Sequence, residues 1–375
     1  MDPLYLDHHA TTPCDPRVVD RMLPFFTENF GNAASLTHQH GRRAANALED
    51  ARIAIARFFG VIPTEIYFTA GATESNNIAL NLVKPGEHVV SSMTEHKSVL
   101  APIDRLEKLG AEATIVRPDS DGRVSADVVE EALRPNTRLV SIEAANGEIG
   151  TVQPIAEIGA MCRERGILFH SDVTQAAGKT ALSLQNVDLA SFSGHKVYGP
   201  KGIGGLFVRR GVRIEPLVTG GGQERNVRSG TVNVPGAIGL AAAFEIRAAE
   251  MGEEGRRLAS IRDSLRDSLL ESIPGVTING PRTVRLPGNL NVSFERVDAE
   301  SLIIGMRRFS LSSGSACSSG ERGPSRVLRA IGLTDELAMG SIRIGLGKSN
   351  TKEHAEMLVD DLKRVVAKLR EISAA

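Results

Sequence analysis

No tryptophan occurs in these 375 residues, and aromatic side chains make up only 4% of them. That scarcity argues against the stacking platforms on which single-stranded nucleic acids are held. Charge of either sign is not in excess: 44 basic against 45 acidic side chains leave no field to draw a polyanion or an anionic membrane, so no direct nucleic-acid binding is expected. Long apolar runs are missing, and the opening residues (MDPLYLDHHATTP) carry no basic region followed by an apolar one. Neither a membrane span nor a secretory signal is expected. Cysteine is limited to Cys14, Cys162 and Cys317, too few and too scattered for a disulfide framework, which fits a reducing, cytoplasmic setting. Internal repeats and low-complexity tracts are absent.

What is present is an ordinary globular composition in a chain long enough for two domains. Between about residues 65 and 210, short β-branched or apolar runs (66–69, 88–91, 113–116, 139–142, 167–170, 189–193 and 203–208) alternate with stretches of helical apolar spacing. This alternation predicts an α/β layer with a mostly parallel sheet, whose ligands lie beyond the carboxyl ends of its strands. After about residue 235 an Ala-rich, then charge-rich helical stretch (237–270) leads to strand-like runs near 276–278 and 290–294, and residues 353–372 form an amphipathic helical stripe. A second, smaller α+β domain is expected there.

Four stretches carry chemistry. In 66–77 (IYFTAGATESNN) a strand meets a Gly turn and small hydroxyl residues open a helix, a geometry that suits a phosphate and equally a plain capped helix start. In 167–175 (ILFHSDVTQ) an apolar strand ends in Asp172. A carboxylate at a buried strand end needs a partner, and a protonated pyridine nitrogen or an Arg would each serve. In 191–202 (SFSGHKVYGPKG) Lys196 follows an apolar strand, where a lysine can form a Schiff base. In 311–323 (LSSGSACSSGERG) Cys317 stands among Ser and Gly with little packing bulk, unlike Cys162 on its apolar helical stripe. His8, His9, His38 and His40 have no acidic or Cys ligand at metal spacing, so no metal site is expected.

Taken in order, YLDHHATTP, FTAGATESNN, TEHKSV, EIGTVQPI, HSDVTQAAGK, SFSGHKVYGPKGIG, GGGQERNVRSGT, NVSF, SSGSACSSG and SIRIGLG resemble the group I cysteine desulfurases, the NifS/IscS type within the class-V aminotransferases. The resemblance covers nearly the whole chain. It implies the pyridoxal-phosphate (PLP) transferase fold type I, similar to aspartate aminotransferase: a large domain (13–252) with a mostly parallel seven-stranded sheet, and a small α+β domain (1–12 and 253–375) carrying the catalytic Cys loop at about 312–323. It implies a cytoplasmic homodimer that takes sulfur from L-cysteine, releases L-alanine and passes a Cys317 persulfide to an acceptor protein for iron–sulfur cluster assembly or thiolation. A DNA-phosphorothioation-linked desulfurase and a selenocysteine lyase are the neighbouring possibilities.

The resemblance also assigns roles. Lys196 would hold PLP, Asp172 the pyridinium nitrogen and Gln175 the ring hydroxyl, with His96 stacked on the ring as a catalytic proton carrier. Ala72, Thr73, Ser193 and His195 would bind the phosphate, with Thr231 reaching in from the other subunit. Arg343, helped by Asn32, would clamp the substrate carboxylate, and Cys317 would be the nucleophile. One departure falls at the ring: where the family has Asn-Asn-Glu-Ile-Gly, this chain reads Asn146-Gly147-Glu148-Ile149-Gly150, so Asn146 or a water is expected to take over the contact that Gly147 lacks. A second is the end of the chain at Ile372-Ser373-Ala374-Ala375, without the tail by which housekeeping members engage their cluster scaffold. That leaves the acceptor open.

Overall fold

The computed structural model describes residues 3–313 and 323–374. Seven strands form the main sheet: β2 (Ile66–Thr69), β3 (His88–Ser92), β4 (Glu112–Val116), β5 (Thr137–Ser141), β6 (Leu168–Asp172), β7 (Leu189–Ser193) and β8 (Gly204–Val208). Their spatial order is β2-β8-β7-β6-β5-β3-β4. β8 runs antiparallel to β2 and β7, and all other neighbours run parallel. The expected seven strands are found within one or two residues of their predicted ends. They were legible because a sheet covered on both faces reads as short continuous apolar runs; every residue of β3, β7 and β8 is buried. One face packs on a core that includes Phe169, Phe192, Phe207 and Phe244. The other packs under Ile78, Leu80, Val99 and Ile103.

A second core surrounds a four-stranded antiparallel sheet of β9 (Val276–Asn279), β10 (Asn289–Phe294), β12 (Ser312–Ser313) and β13 (Ser341–Gly345), in the order β12-β13-β10-β9. The closing helix Lys352–Ala374 lays Leu358, Leu362, Val365 and Val366 into it. The first residues join this smaller layer: β1 (Leu4–Tyr5) pairs in parallel with β11 (Phe309–Ser310), and Asp7 bridges to Gly345. The residue range 8–12 then crosses to the large layer, where Thr12 N and Oγ1 both donate to the His195 carbonyl at 2.9 and 3.0 Å.

The 39-residue helix Val234–Ser272 belongs to both layers. Its first half buries Leu240–Phe244 in the large core, and its second half buries Leu258, Ile261, Leu265 and Leu269 in the small one. The expected division at 252/253 therefore falls inside one continuous helix. Among the described residues no helix is long and apolar enough to cross a membrane.

Candidate active site

The carboxyl ends of β2, β3, β5, β6 and β7 open into one cleft of about 1410 Å³. Of the residues expected at the site, Ala72, Thr73, His96, Asn146, Asp172, Gln175, Ser193, His195, Lys196 and Arg343 line it. Cys317 lies outside the described residues. Thr231 and Asn32 do not line the cleft of their own chain. Asn32 sits on an exposed segment, where its Oδ1 accepts the Ala34 N–H at 2.9 Å.

Lys196 ends the short 3-10 turn Gly194–Lys196 directly after β7. The turn can close because residue 194 is Gly: a Cβ there would come within 2.7 Å of the Pro200 carbonyl. Lys196 Nζ donates to the carbonyls of His9 and Ala10 at 2.7 and 2.6 Å. The N-terminal motif therefore builds the floor under this lysine, a role that the sequence did not disclose.

Asp172 ends β6 and is only 7% exposed. Its Oδ1 accepts the Thr174 N–H at 2.9 Å and its Oδ2 accepts Asn76 Nδ2 at 2.7 Å. The same Asn76 amide donates to Ser98 Oγ at 2.8 Å, and Ser98 N donates to His96 Nδ1 at 3.1 Å. An unbroken polar chain thus runs from Asp172 to His96 through a fully buried asparagine. Because Nδ1 accepts a backbone N–H, the neutral ring carries its proton on Nε2. The cleft walls desolvate His96 and hold its pKa below the usual imidazole value, so the neutral form prevails at pH 7.

At the far end, the helix Ala72–Leu80 begins after Gly71 with no side-chain cap. Its first N–H groups and dipole face the same end of the cleft as Ser193 and His195. Burial, then nearby Lys196, lowers the His195 pKa to about 4, so its imidazole is neutral. An uncapped helix start, a strand-end carboxylate, an imidazole and a lysine around one cleft match the phosphate, the cationic ring nitrogen, the ring face and the aldehyde of PLP. The donor set fits that cofactor.

One ring contact differs from expectation, and another keeps a donor for it. Asn146 lines the cleft, but its amide is fully engaged in the turn after β5. Nδ2 donates to the Thr94 carbonyl at 3.0 Å and to Glu143 Oε1 at 2.9 Å, and Oδ1 accepts the N–H groups of Glu148 and Ile149, both at 2.9 Å. With both donors and both acceptor positions used, Asn146 shapes the loop and has no bond left for a ring hydroxyl. Gln175 Oε1 accepts Lys179 Nζ at 2.7 Å, while Nε2 donates to the His9 carbonyl at 3.0 Å and keeps its other N–H.

The partners of Arg343 and the carboxyl pair beside them were not anticipated. Arg343, on β13, pairs with Asp7 at 2.8 Å while its Nη1 donates to the Gly147 carbonyl at 3.2 Å. Glu95 and Glu143 are two buried carboxyls, 1% and 5% exposed, on neighbouring strand ends. Burial, then the Glu143 charge, raises the Glu95 pKa. Burial above all raises that of Glu143 to about 8. At neutral pH the pair retains proton. Arg326 stands over them at the rim, its Nη2 donating to the Glu95 carbonyl at 2.6 Å. Cys162 is fully buried, and burial pushes its thiol up to about 12, as befits a core residue.

Strand ends carrying Lys196, Asp172 and His96 into one cleft are those of the aminotransferase class-V family, whose model matches residues 4–358; the chain belongs to that family. It is 47% identical to the cysteine desulfurase IscS of Anaeromyxobacter dehalogenans over 380 residues, covering 99% of this chain and 94% of that one. A solved NifS-like protein superposes with a TM-score of 0.90 at 36% identity, covering 98% of this chain and 100% of the other. The structure of SspA in complex with cysteine superposes at 0.80 with 37% identity, covering 92% and 98%. Within the family, the chain belongs with the cysteine desulfurases.

Proposed function

We propose that this chain is a PLP-dependent sulfurtransferase, a cysteine desulfurase that converts L-cysteine to L-alanine and collects the sulfur as a persulfide on Cys317. The observation that carries the reading is the convergence of Lys196, Asp172 and His96 on one cleft, in a chain similar to a protein solved with cysteine. Lys196 would hold the cofactor, Asp172 its ring nitrogen, and the helix start at Ala72 with Thr73, Ser193 and His195 its phosphate. When bound, PLP supplies an electron sink that makes the Cα–H and C–S bonds of the substrate labile.

The remaining work falls to the chain itself. The Arg343 fork binds the substrate carboxylate and fixes the amino acid in the cleft. The Lys196 amine takes the Cα proton. The Cys317 thiolate attacks the substrate sulfur: an S–S bond forms, the C–S bond breaks, and its electron pair stays with the carbon fragment. His96, its proton on Nε2, gives a proton to the carbon that lost the sulfur, the Lys196 ammonium returns the proton to Cα, and alanine leaves. A reductant or an acceptor protein then removes the outer sulfur, for cluster assembly or thiolation.

A cytoplasmic homodimer is part of this reading. Thr231 and Asn32 lie outside their own cleft, and Leu23, Phe26, Phe30 and Leu36 are each more than half exposed on one N-terminal stretch. A second copy would cover them.

The test is direct. The purified protein should be yellow, and borohydride should fix the cofactor to a peptide containing Lys196. A protein that remains colourless with PLP present, or that yields no alanine from cysteine and a thiol, overturns the reading.

A further inference from the structure

We propose that Gly147 is the seat of the Gln175 side chain and that Lys179 is the positioning residue that holds Gln175 there. A glutamine pinned by a second lysine then presents the polar group toward the cofactor's hydroxyl side, in place of a side chain at 147. The inference rests on the PLP reading above and deepens it.

The argument begins with space. A Cβ on residue 147 would lie 2.6 Å from Gln175 Nε2, 2.8 Å from its Cδ and 3.1 Å from its Cγ. Three successive atoms of one side chain fill the position, so turning the amide tip alone does not clear it. Nor is the side chain at liberty to swing away. Its Nε2 donates to the His9 carbonyl at 3.0 Å. Its Oε1 accepts Lys179 Nζ at 2.7 Å and faces His9 Nδ1 at 3.2 Å.

The backbone of residue 147 cannot retreat either. Its carbonyl accepts Arg343 Nη1 and Asn289 Nδ2, each at 3.2 Å. Gly147 is therefore caught between the residue expected at the cofactor ring and the residue expected at the substrate carboxylate. Any side chain there must displace one of them. The His9 carbonyl that anchors Gln175 also accepts Lys196 Nζ at 2.7 Å, so a displaced Gln175 disturbs the support of the cofactor lysine as well.

Lys179 sits four residues after Gln175, half-buried, and borders the same small chamber behind Lys196 as His8 and His9. An amine donates to a carbonyl-type oxygen in either protonation state, so its hold on Oε1 does not depend on its charge. With Oε1 engaged by Lys179 and one N–H by His9, the amide's orientation is set, and the remaining N–H is the one left to face the cleft.

The test uses apoprotein and four variants, with PLP dissociation constants from equilibrium dialysis and apoprotein melting temperatures. Gly147→Asn should weaken PLP binding about tenfold or more, the usual scale for overfilling a packed site. Gln175→Ala should weaken it about three- to tenfold, the loss of one hydrogen bond. The double variant should bind no worse than Gln175→Ala alone, because the shortened side chain clears the Cβ. Lys179→Met should match Gln175→Ala.

In the apoprotein, Gln175→Ala should recover most of the melting temperature that Gly147→Asn loses. That readout stands even if the parent binds no PLP, which would overturn the functional reading alone. Should Gly147→Asn fail to fold, Gly147→Ala carries the same Cβ and replaces it. Tighter PLP binding by a residue-147 variant, or losses that multiply in the double variant, overturns the seat.

Discussion

Asp7 Oδ1 lies 2.8 Å from Arg343 Nη2, and the same oxygen accepts Ser312 Oγ at 3.0 Å. The guanidinium proposed as the substrate clamp is thus already oriented by a built-in carboxylate, on a side chain only 3% exposed. Replacing Arg343 with Ala should raise KM for cysteine by roughly tenfold or more, the scale of a lost charge-assisted contact, while the cofactor's absorption stays as in the parent. Arg343→Lys should not restore KM, because a point charge cannot serve Asp7, the Gly147 carbonyl and a substrate at once. An unchanged KM in the Ala variant removes Arg343 from the clamp.

Cys317→Ser should keep the yellow colour and the PLP affinity of the parent but release no alanine from cysteine in the presence of a thiol. Normal turnover by this variant assigns the nucleophile elsewhere.

Glu143 gives a pH signature. Its folded-state pKa of about 8 lies above the ordinary carboxyl value of 4.5. A raised pKa means that the folded state holds a proton which the unfolded chain releases. The associated stability is present in full below pH 4.5 and is lost as pH rises toward 8. The facing groups are Glu95, Asp172 and Arg326. Glu143→Gln keeps an acceptor for Asn146 and has no proton to lose, so it should flatten the fall of melting temperature across that window. The gap in melting temperature between variant and parent should be widest at the upper end of that window. A parallel pH profile in parent and variant rejects the assignment.

Arg52 and Glu224 form a buried two-pronged pair, with Nη1 to Oε2 at 2.9 Å and Nη2 to Oε1 at 2.8 Å. Glu224 also accepts the Phe68 N–H and holds a left-handed backbone, φ 45°, in the loop that leads to Thr231. Arg52→Met leaves that carboxylate buried without its partner and should destabilise by about 3–5 kcal/mol. Replacing both partners with apolar residues should recover part of the loss. A Met variant as stable as the parent shows the pair to be dispensable.

The sequence disclosed more of the sheet than of the site's interior. Strands such as 189–193 declare themselves because a doubly covered strand must be apolar along its whole length. Lys196, Asp172 and Thr73 each follow such a run at the edge where ligands collect, while His96 came from the resemblance alone; all four line the cleft. What escaped was the way distant segments complete one another. The carbonyls of His9 and Ala10 carry no residue-type signal, yet they support Lys196 from 187 and 186 residues away. Asn76, joining Asp172 to Ser98, looks in sequence like one more polar residue at a helix start. Asn146 was misassigned for a related reason: residue type says that an amide can bond a ring hydroxyl, and only the loop shows that all its bonds are taken.

The long helix Val234–Ser272 has a mechanical consequence. Since each half is embedded in a different core, the helix ties the two layers together, and relative motion between them must bend it. Gly252 and Gly255 stand at its middle, and a Cβ at Gly252 would meet only the tip of Arg256, at 3.9 Å. Glycine costs a helix stiffness, so this short stretch is where the spine yields first.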